Sequence, residues 1–346
     1  MSRKEGALSR IAAAALVLGA CSRERPTEAD PPPRAQPALS AAPVASAAPA
    51  SPPASAADPL RRELLRAPIT SASIVGWHRP GLFRVTIERR DPPGSAPALL
   101  FLSLAENPVV WRRSLAFERL AWALGARVVP AAVLRRIGTG ELGALFAGQK
   151  DLRDYLARHA VVQNDGTVDA LMFAPGRGEG AEAWRVPAGR DVTLEHSLEA
   201  ETWARWAASP EPLLGENSAL LADYVETLVL DYLSGNVLRR GLHLDPAGSA
   251  IHLTDNRSAF PAKVEPRALD VLLARLRPVA RFPRGLERAL LALDRERARA
   301  LFVSGPFETW LLPPRTLVDL DERRKSLLTL IAARIAERGD AAVLCL

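Results

Sequence analysis

The sequence predicts an α+β fold with a sheet-rich lobe first and a helical lobe second. Three observations carry this. Apolar residues alternate with a period of two in short runs between residues 69 and 173. Beyond that point the apolar period lengthens to about 3.6, the spacing of an amphipathic helix. Turn signals at Asp91-Pro92-Pro93-Gly94 and Asn164-Asp165-Gly166 join neighbouring strands directly, which favours antiparallel pairing.

The elements follow in order. Leu60–Leu65 predicts a short lead-in helix. Ile69–Val75, Leu82–Arg89 and Ala98–Ala105 predict strands, with Phe83, Val85 and Ile87 on one face of the second. Val110–Leu124 predicts a helix stopped by Gly125. Val128–Leu134 predicts a further strand, and Ala160–Gln163 and Val168–Phe173 the arms of a hairpin. Gly176-Arg177-Gly178 reads as a connector near the lobe junction. Leu198–Ala207 is helical, and Ser218–Leu233 carries Leu220, Leu221, Tyr224, Val225, Leu228 and Tyr232 on one stripe. Ile251–Thr254 predicts a short strand, and Ala268–Ala280, Leu286–Val303 and Leu317–Glu337 predict helices. The sheet-rich lobe is therefore expected over residues 59–175 and the helical lobe over 176–346.

Composition excludes several classes. The chain is 48% hydrophobic and 24% charged, which describes a globular protein and excludes a multi-span membrane protein. Two cysteines exclude a disulfide scaffold. The net charge of +6 comes from arginines spread along the whole chain, with lysine only at positions 4, 150, 263 and 325. Such a spread does not mark a nucleic-acid partner.

The first residues read as an address. Arg3, Lys4 and Arg10 precede an apolar run, Ile11 to Ala20, too short to span a bilayer. The run ends in Leu18-Gly19-Ala20-Cys21, which resembles the lipobox of bacterial lipoproteins. That resemblance implies a signal peptide over 1–21 and acylation of Cys21, with palmitate among the chains, so that the lipid bilayer is a partner. Ser22 at the following position resembles the outer-membrane type of these proteins, placing the chain in the bacterial cell envelope. An ordinary signal peptide, or a start codon placed too early, is the other reading. Residues 22–58 are rich in Ala, Pro and Ser and hold no aromatic residue, so they read as a disordered tether. Cys345 is then the remaining thiol, in an apolar tail expected to dock.

The chemistry lies in two segments. Asp231-Tyr-Leu-Ser-Gly-Asn236-Val-Leu-Arg239 ends the long amphipathic helix, and Asp255-Asn256 follows a short strand about twenty residues later, with Phe260 behind. Taken singly, Gly235-Asn236 reads as a helix stop and Asp255-Asn256 as a turn or cap. Together they resemble the catalytic and metal-binding segments of the atypical kinases of the secretory pathway, the Golgi casein kinase and four-jointed type, and more distantly HipA-like kinases. The segment Leu115 to Pro130 and the pair Arg323-Arg324 extend the resemblance.

The resemblance implies a two-lobed protein-kinase-like fold, with an N-terminal antiparallel sheet lobe and a C-terminal helical lobe. It implies ATP with Mg or Mn, Asp255 as metal ligand, Asn236 as a second metal or loop contact, and Asp231 as a brace of the catalytic loop. It fails at two places. Leu238 stands where the catalytic Asp belongs and cannot accept a proton. The phosphate-binding lysine is missing, because Leu102 or Ser103 falls at its position. Arg84 or Arg89 is left as a source of positive charge. The helix glutamate that would pair with the lysine aligns with Ser114, and Glu118 lies one turn further on.

No other motif competes: there is no G-x-S-x-G, H-E-x-x-H or Walker pattern. His243 and His252 lie near Asp255 in sequence as a further, weaker site. The expectation is a membrane-anchored lipoprotein with a pseudokinase domain, a binding or scaffold module for an unknown envelope protein, and not an enzyme. The alternatives are a weakly active or rewired metal-dependent kinase of exported substrates, and a non-catalytic structural lipoprotein.

Overall fold

The computed structural model describes residues 58–75, 81–177, 180–186, 189–304 and 309–346. The signal peptide, Cys21, Gly178 and the tether up to residue 57 lie outside the described residues.

Asp58 opens α1 (Pro59–Arg66) by accepting from Leu60 N at 2.9 Å, with proline at the first helical position. Three strands follow: β1 (Ile69–Ile74), β2 (Leu82–Arg90) and β3 (Pro93–Leu102). Next come α2 (Val110–Ala123), β4 (Ala132–Gly138), α3 (Thr139–Leu145), α4 (Lys150–His159) and β5 (Thr167–Phe173). The five strands form one antiparallel sheet in the order β1-β2-β3-β5-β4.

The second half is helical. It holds α5 (Gly180–Ala183), β6 (Arg190–Thr193), α6 (Leu198–Ala208), α7 (Glu216–Ser234), β7 (Gly241–Leu244) and β8 (Ile251–His252). The three strands form a small antiparallel sheet, β6-β7-β8. Then come α8 (Pro266–Leu276), α9 (Leu286–Ala292), α10 (Arg295–Leu301), a strand pair β9 (Val303–Ser304) and β10 (Thr309–Trp310), α11 (Pro314–Arg338) and α12 (Asp340–Val343). The architecture is the expected one, a sheet lobe followed by a helical lobe.

Alternation along the large sheet divides two cores. Phe83, Val85, Ile87, Leu100 and Leu102 turn to the face covered by α1, α3 and α4, where the Phe83 and Phe146 rings pack at a tilt with centroids 5.0 Å apart. Burying side chains of this size contributes about 1.5–3 kcal/mol each. Phe101 and Leu171 turn to the other face and join the helical core through α2 and α7. The run from Thr227 to Ser234 is buried without a break, so α7 is the central post of its lobe.

Several elements differ from the expectation. The fourth strand runs from Ala132, not Val128, because Val128 instead accepts from Leu253 N at 2.8 Å and ties the two lobes together. The segment Leu286–Val303 is two helices, because Asp294 caps a new one through Arg297 N at 2.8 Å. The arm Ala160–Gln163 holds only single bridges, Ala160 to Leu104 and Val162 to Val168. The tail docks through Phe282 N to Val343 O at 2.7 Å, while the Cys345 thiol stays exposed. Among the described residues no helix is long and apolar enough to cross a membrane.

Candidate functional site

The site begins where α7 stops. Gly235 takes the left-handed conformation, φ +64°, and Asn236 N reaches back to Asp231 O at 2.8 Å, the six-to-one bond of a Schellman stop. This turn brings Asn236 Nδ2 to 3.1 Å from Asp231 Oδ1. Arg239 then folds over the end of the helix. Its Nε donates to both oxygens of Asp231, its Nη1 to Asp255 O at 3.3 Å and its Nη2 to Asn256 Oδ1 at 2.8 Å. Phe260 N donates to Ser234 O at 2.8 Å, and its ring packs edge-on against Phe302. The helix end, the Asp255-Asn256 turn and Phe260 are thus one hydrogen-bonded unit.

Asn236 and Asp255 line one cleft of about 720 Å³, together with Leu238, Arg113, Arg240 and His252. Asp231 stands behind it, fully buried. Burial pushes its carboxyl upward and Arg239 opposes that shift. Leu238 is 63% exposed at the cleft. Asp255 is half exposed, and Arg257 grips both of its oxygens at 2.8 Å. Two further spaces adjoin the cleft and share Thr254 with it. One is a cavity of about 50 Å³ bounded by Ser114, Glu118 and Asp255. The other is a groove of about 190 Å³ walled by Leu82, Leu99, Phe173 and Val186.

Glu118 and Ser114 therefore both face the cavity from α2, and Glu118 is the buried one. Its partner is Arg61 of α1. Burial pushes the Glu118 carboxyl upward, and Arg61 opposes it. Sequence reasoning missed Arg61, because the pair is formed across 57 positions and nothing local marks it. Arg84 and Arg89 do not fill that place. Arg84 lines the apolar groove, and Arg89 lies over the Trp184 ring at 5.0 Å. Leu102 is buried in the sheet core and Ser103 is buried beside it, so β3 offers no cation.

His243 and His252 pair across β7 and β8, with ring centroids 6.2 Å apart, and both line the cleft. His243 Nδ1 lies 3.0 Å from Asp191 Oδ1. Burial, with Arg177 nearby, lowers His252 to about 4, so it is neutral at physiological pH. Among the described residues no group of three His, Cys, Asp or Glu side chains is placed to hold a metal.

No family model and no curated protein matches the sequence. Solved structures do match in fold. The Golgi casein kinase with Mn/ADP bound aligns at a TM-score of 0.56 and 18% identity, over 82% of this chain and 77% of that one. A second structure of the Golgi casein kinase aligns at 0.55 and 16% identity, over 82% and 76%. Hydra Fam20 with sugar aligns at 0.52 and 14% identity, over 82% and 90%. The chain therefore has a protein-kinase-like fold. Within that class its likeness is to Fam20-type kinases.

The site can be tested against the Mn/ADP of that neighbour. Asn236 Oδ1 is buried without a partner among the described residues, so one oxygen donor is on offer. Both oxygens of Asp255, however, are held by Arg257, and those of Asp231 by Arg239. A guanidinium already compensates the carboxylate that a cation would need. As arranged, the donor set does not fit a divalent metal.

Proposed function

We propose that the chain is a pseudokinase: a kinase-like binding module held in the bacterial cell envelope by a lipid on Cys21 and taking a nucleotide in the cleft between its lobes. The observation that carries this reading is Leu238. It occupies the cleft beside Asn236 and Asp255, where phosphoryl transfer needs an acceptor for the hydroxyl proton. Loss of such a group costs about 10²- to 10⁴-fold in rate. Of the other carboxylates at the cleft, Asp231 is buried under Arg239, Asp255 is gripped by Arg257, and Asp191 lies against His243 at 3.0 Å. The apolar groove supplies walls for a base, and the arginine-lined cleft supplies charge for phosphates. An envelope protein is the partner to which such a module would report.

The test uses the full-length chain. Nucleotide should raise its thermal midpoint, while labelled ATP with Mg or Mn should give no transfer to the chain or to envelope proteins. Transfer that disappears in Asp255→Ala would instead establish a rewired kinase. Labelled palmitate should enter the wild type and not Cys21→Ser, and labelling of both would refute the anchor.

A further inference from the structure

We propose that the cleft binds the phosphates of a nucleoside polyphosphate directly through arginines, without a divalent metal. The inference rests on the nucleotide reading above and deepens it. Its ground is the charge arrangement. Arg257 forks Asp255 at the cleft wall and cancels the carboxylate that would otherwise call for a cation. Arg113 and Arg240 line the same cleft and have no ion-pair partner among the described residues. Arg239 is satisfied by Asp231 and Asn256. Two guanidinium charges without an ion-pair partner among the described residues therefore face the space, against one further carboxylate, Asp191, which lies 3.0 Å from His243 Nδ1. Arginine is the side chain best shaped to grip phosphate oxygens in pairs.

Two more features agree. Arg113 lies in the first turn of α2, whose N-cap, Val109, provides no side-chain bond and whose first turn holds no acidic residue. The positive end of this 14-residue helix lies beside Asn107 and Val110, which also line the cleft, and of its first amides Val110 N is already taken up by Asn107 O at 3.3 Å. His252 is 8% exposed and lines the cleft, its Nδ1 without a partner among the described residues. A neutral imidazole there can donate to an anion. The apolar groove meets this space at Thr254, so a base and a phosphate chain can be held at once.

The experiment is isothermal titration of the full-length chain with ATP, in EDTA and in MnCl₂, with adenosine as comparison. The expected result is equal ATP affinity in both buffers, with adenosine at least about tenfold weaker. Arg113→Ala and Arg240→Ala should each weaken ATP about 10- to 100-fold, the range for a charge-assisted hydrogen bond. Arg257→Ala takes the guanidinium from the Asp255 carboxylate, so its ATP affinity should fall in EDTA and recover in manganese. Binding that needs manganese in the wild type overturns the metal-free site and leaves the nucleotide reading standing. Binding in neither buffer overturns both. Wild-type affinity of Arg257→Ala in EDTA also overturns the role given to that arginine, and a retained circular-dichroism spectrum shows that each variant is folded.

Discussion

Arg239 places its Nε 2.8 Å from one carboxylate oxygen of Asp231 and 2.6 Å from the other, and both side chains are only 4% exposed. The pair joins the end of α7 to the turn that holds Asp255, since the same guanidinium reaches Asn256 Oδ1. A buried pair of this kind is weak evidence of net stabilisation, but removing one member strands a charge. Arg239→Ala should therefore cost about 3–5 kcal/mol, read as a lower urea midpoint at an unchanged m value. Adding Asp231→Asn should recover much of that loss. Strict additivity of the two changes would show that they do not act as a pair.

The Arg61–Glu118 pair makes a parallel case at the other lobe. Arg61 comes from α1, and Glu118 from α2, the helix that bounds the cavity. Without Arg61, burial alone acts on the Glu118 carboxyl and favours its neutral form. Arg61→Ala should destabilise the chain by several kcal/mol, and by much less in a Glu118→Gln background. A double-mutant cycle should return a coupling of about 0.5–3 kcal/mol. A coupling near zero would mean that the pair contributes nothing.

These two pairs also mark what the sequence could and could not reveal. Asp231, Gly235 and Asn236 are close in sequence, so a helix period and a glycine stop mark them, whereas the bond of Arg239 back to Asp231 appears only in the folded turn. The strand Leu82–Arg90 and the helix Glu216–Ser234 were legible because Phe83, Val85 and Ile87, and the Leu220 to Tyr232 stripe, repeat with clean periods. The helices α3 and α4 were not foreseen. Gly140 and Gly143 lower the helical preference of the first, and the second is a single short unit with only Leu152 and Leu156 buried. Arg61 was invisible because its partner is brought to it by the sheet, not by the chain.

His252 makes stability depend on acid. Its folded value is about 4, against an unfolded value near 6.5. The unfolded chain therefore binds more protons between these two pH values, so the folded state loses stability as pH falls from about 6.5 to 4. His252→Gln should remove about 1–3 kcal/mol of that loss. Urea midpoints of both proteins at pH 7.5 and 4.5 check it, and an unchanged difference between the two pH values would be the wrong outcome.

Glu226 acts in the opposite sense. Burial raises it to about 7, although it accepts from Arg127 N at 2.9 Å. The folded chain therefore binds the extra proton between the usual carboxylate value and pH 7. The contribution of Glu226 to stability is greatest below that window and is lost as pH rises through 7. Glu226→Gln keeps an acceptor for Arg127 N and removes the charge. It should match the wild type near pH 4.5 and exceed it at pH 8. A variant less stable than the wild type at pH 8 would show that the charged form is favoured.

Gly235 tests whether the turn positions the site or only ends a helix. Its φ of +64° costs an ordinary residue about 1–2 kcal/mol. A Cβ there would also meet Val264 Cγ2 at 2.7 Å, closer than van der Waals contact allows. Gly235→Ala carries both costs, while Gly235→Ala with Val264→Ala carries the backbone cost but relieves the clash. If the turn positions Asn236 against Asp231, the single variant should lower both stability and ATP affinity, and the double variant should recover affinity ahead of stability. Equal recovery of the two would assign Gly235 to the helix stop alone, since Asn236 would then follow the fold and not the turn.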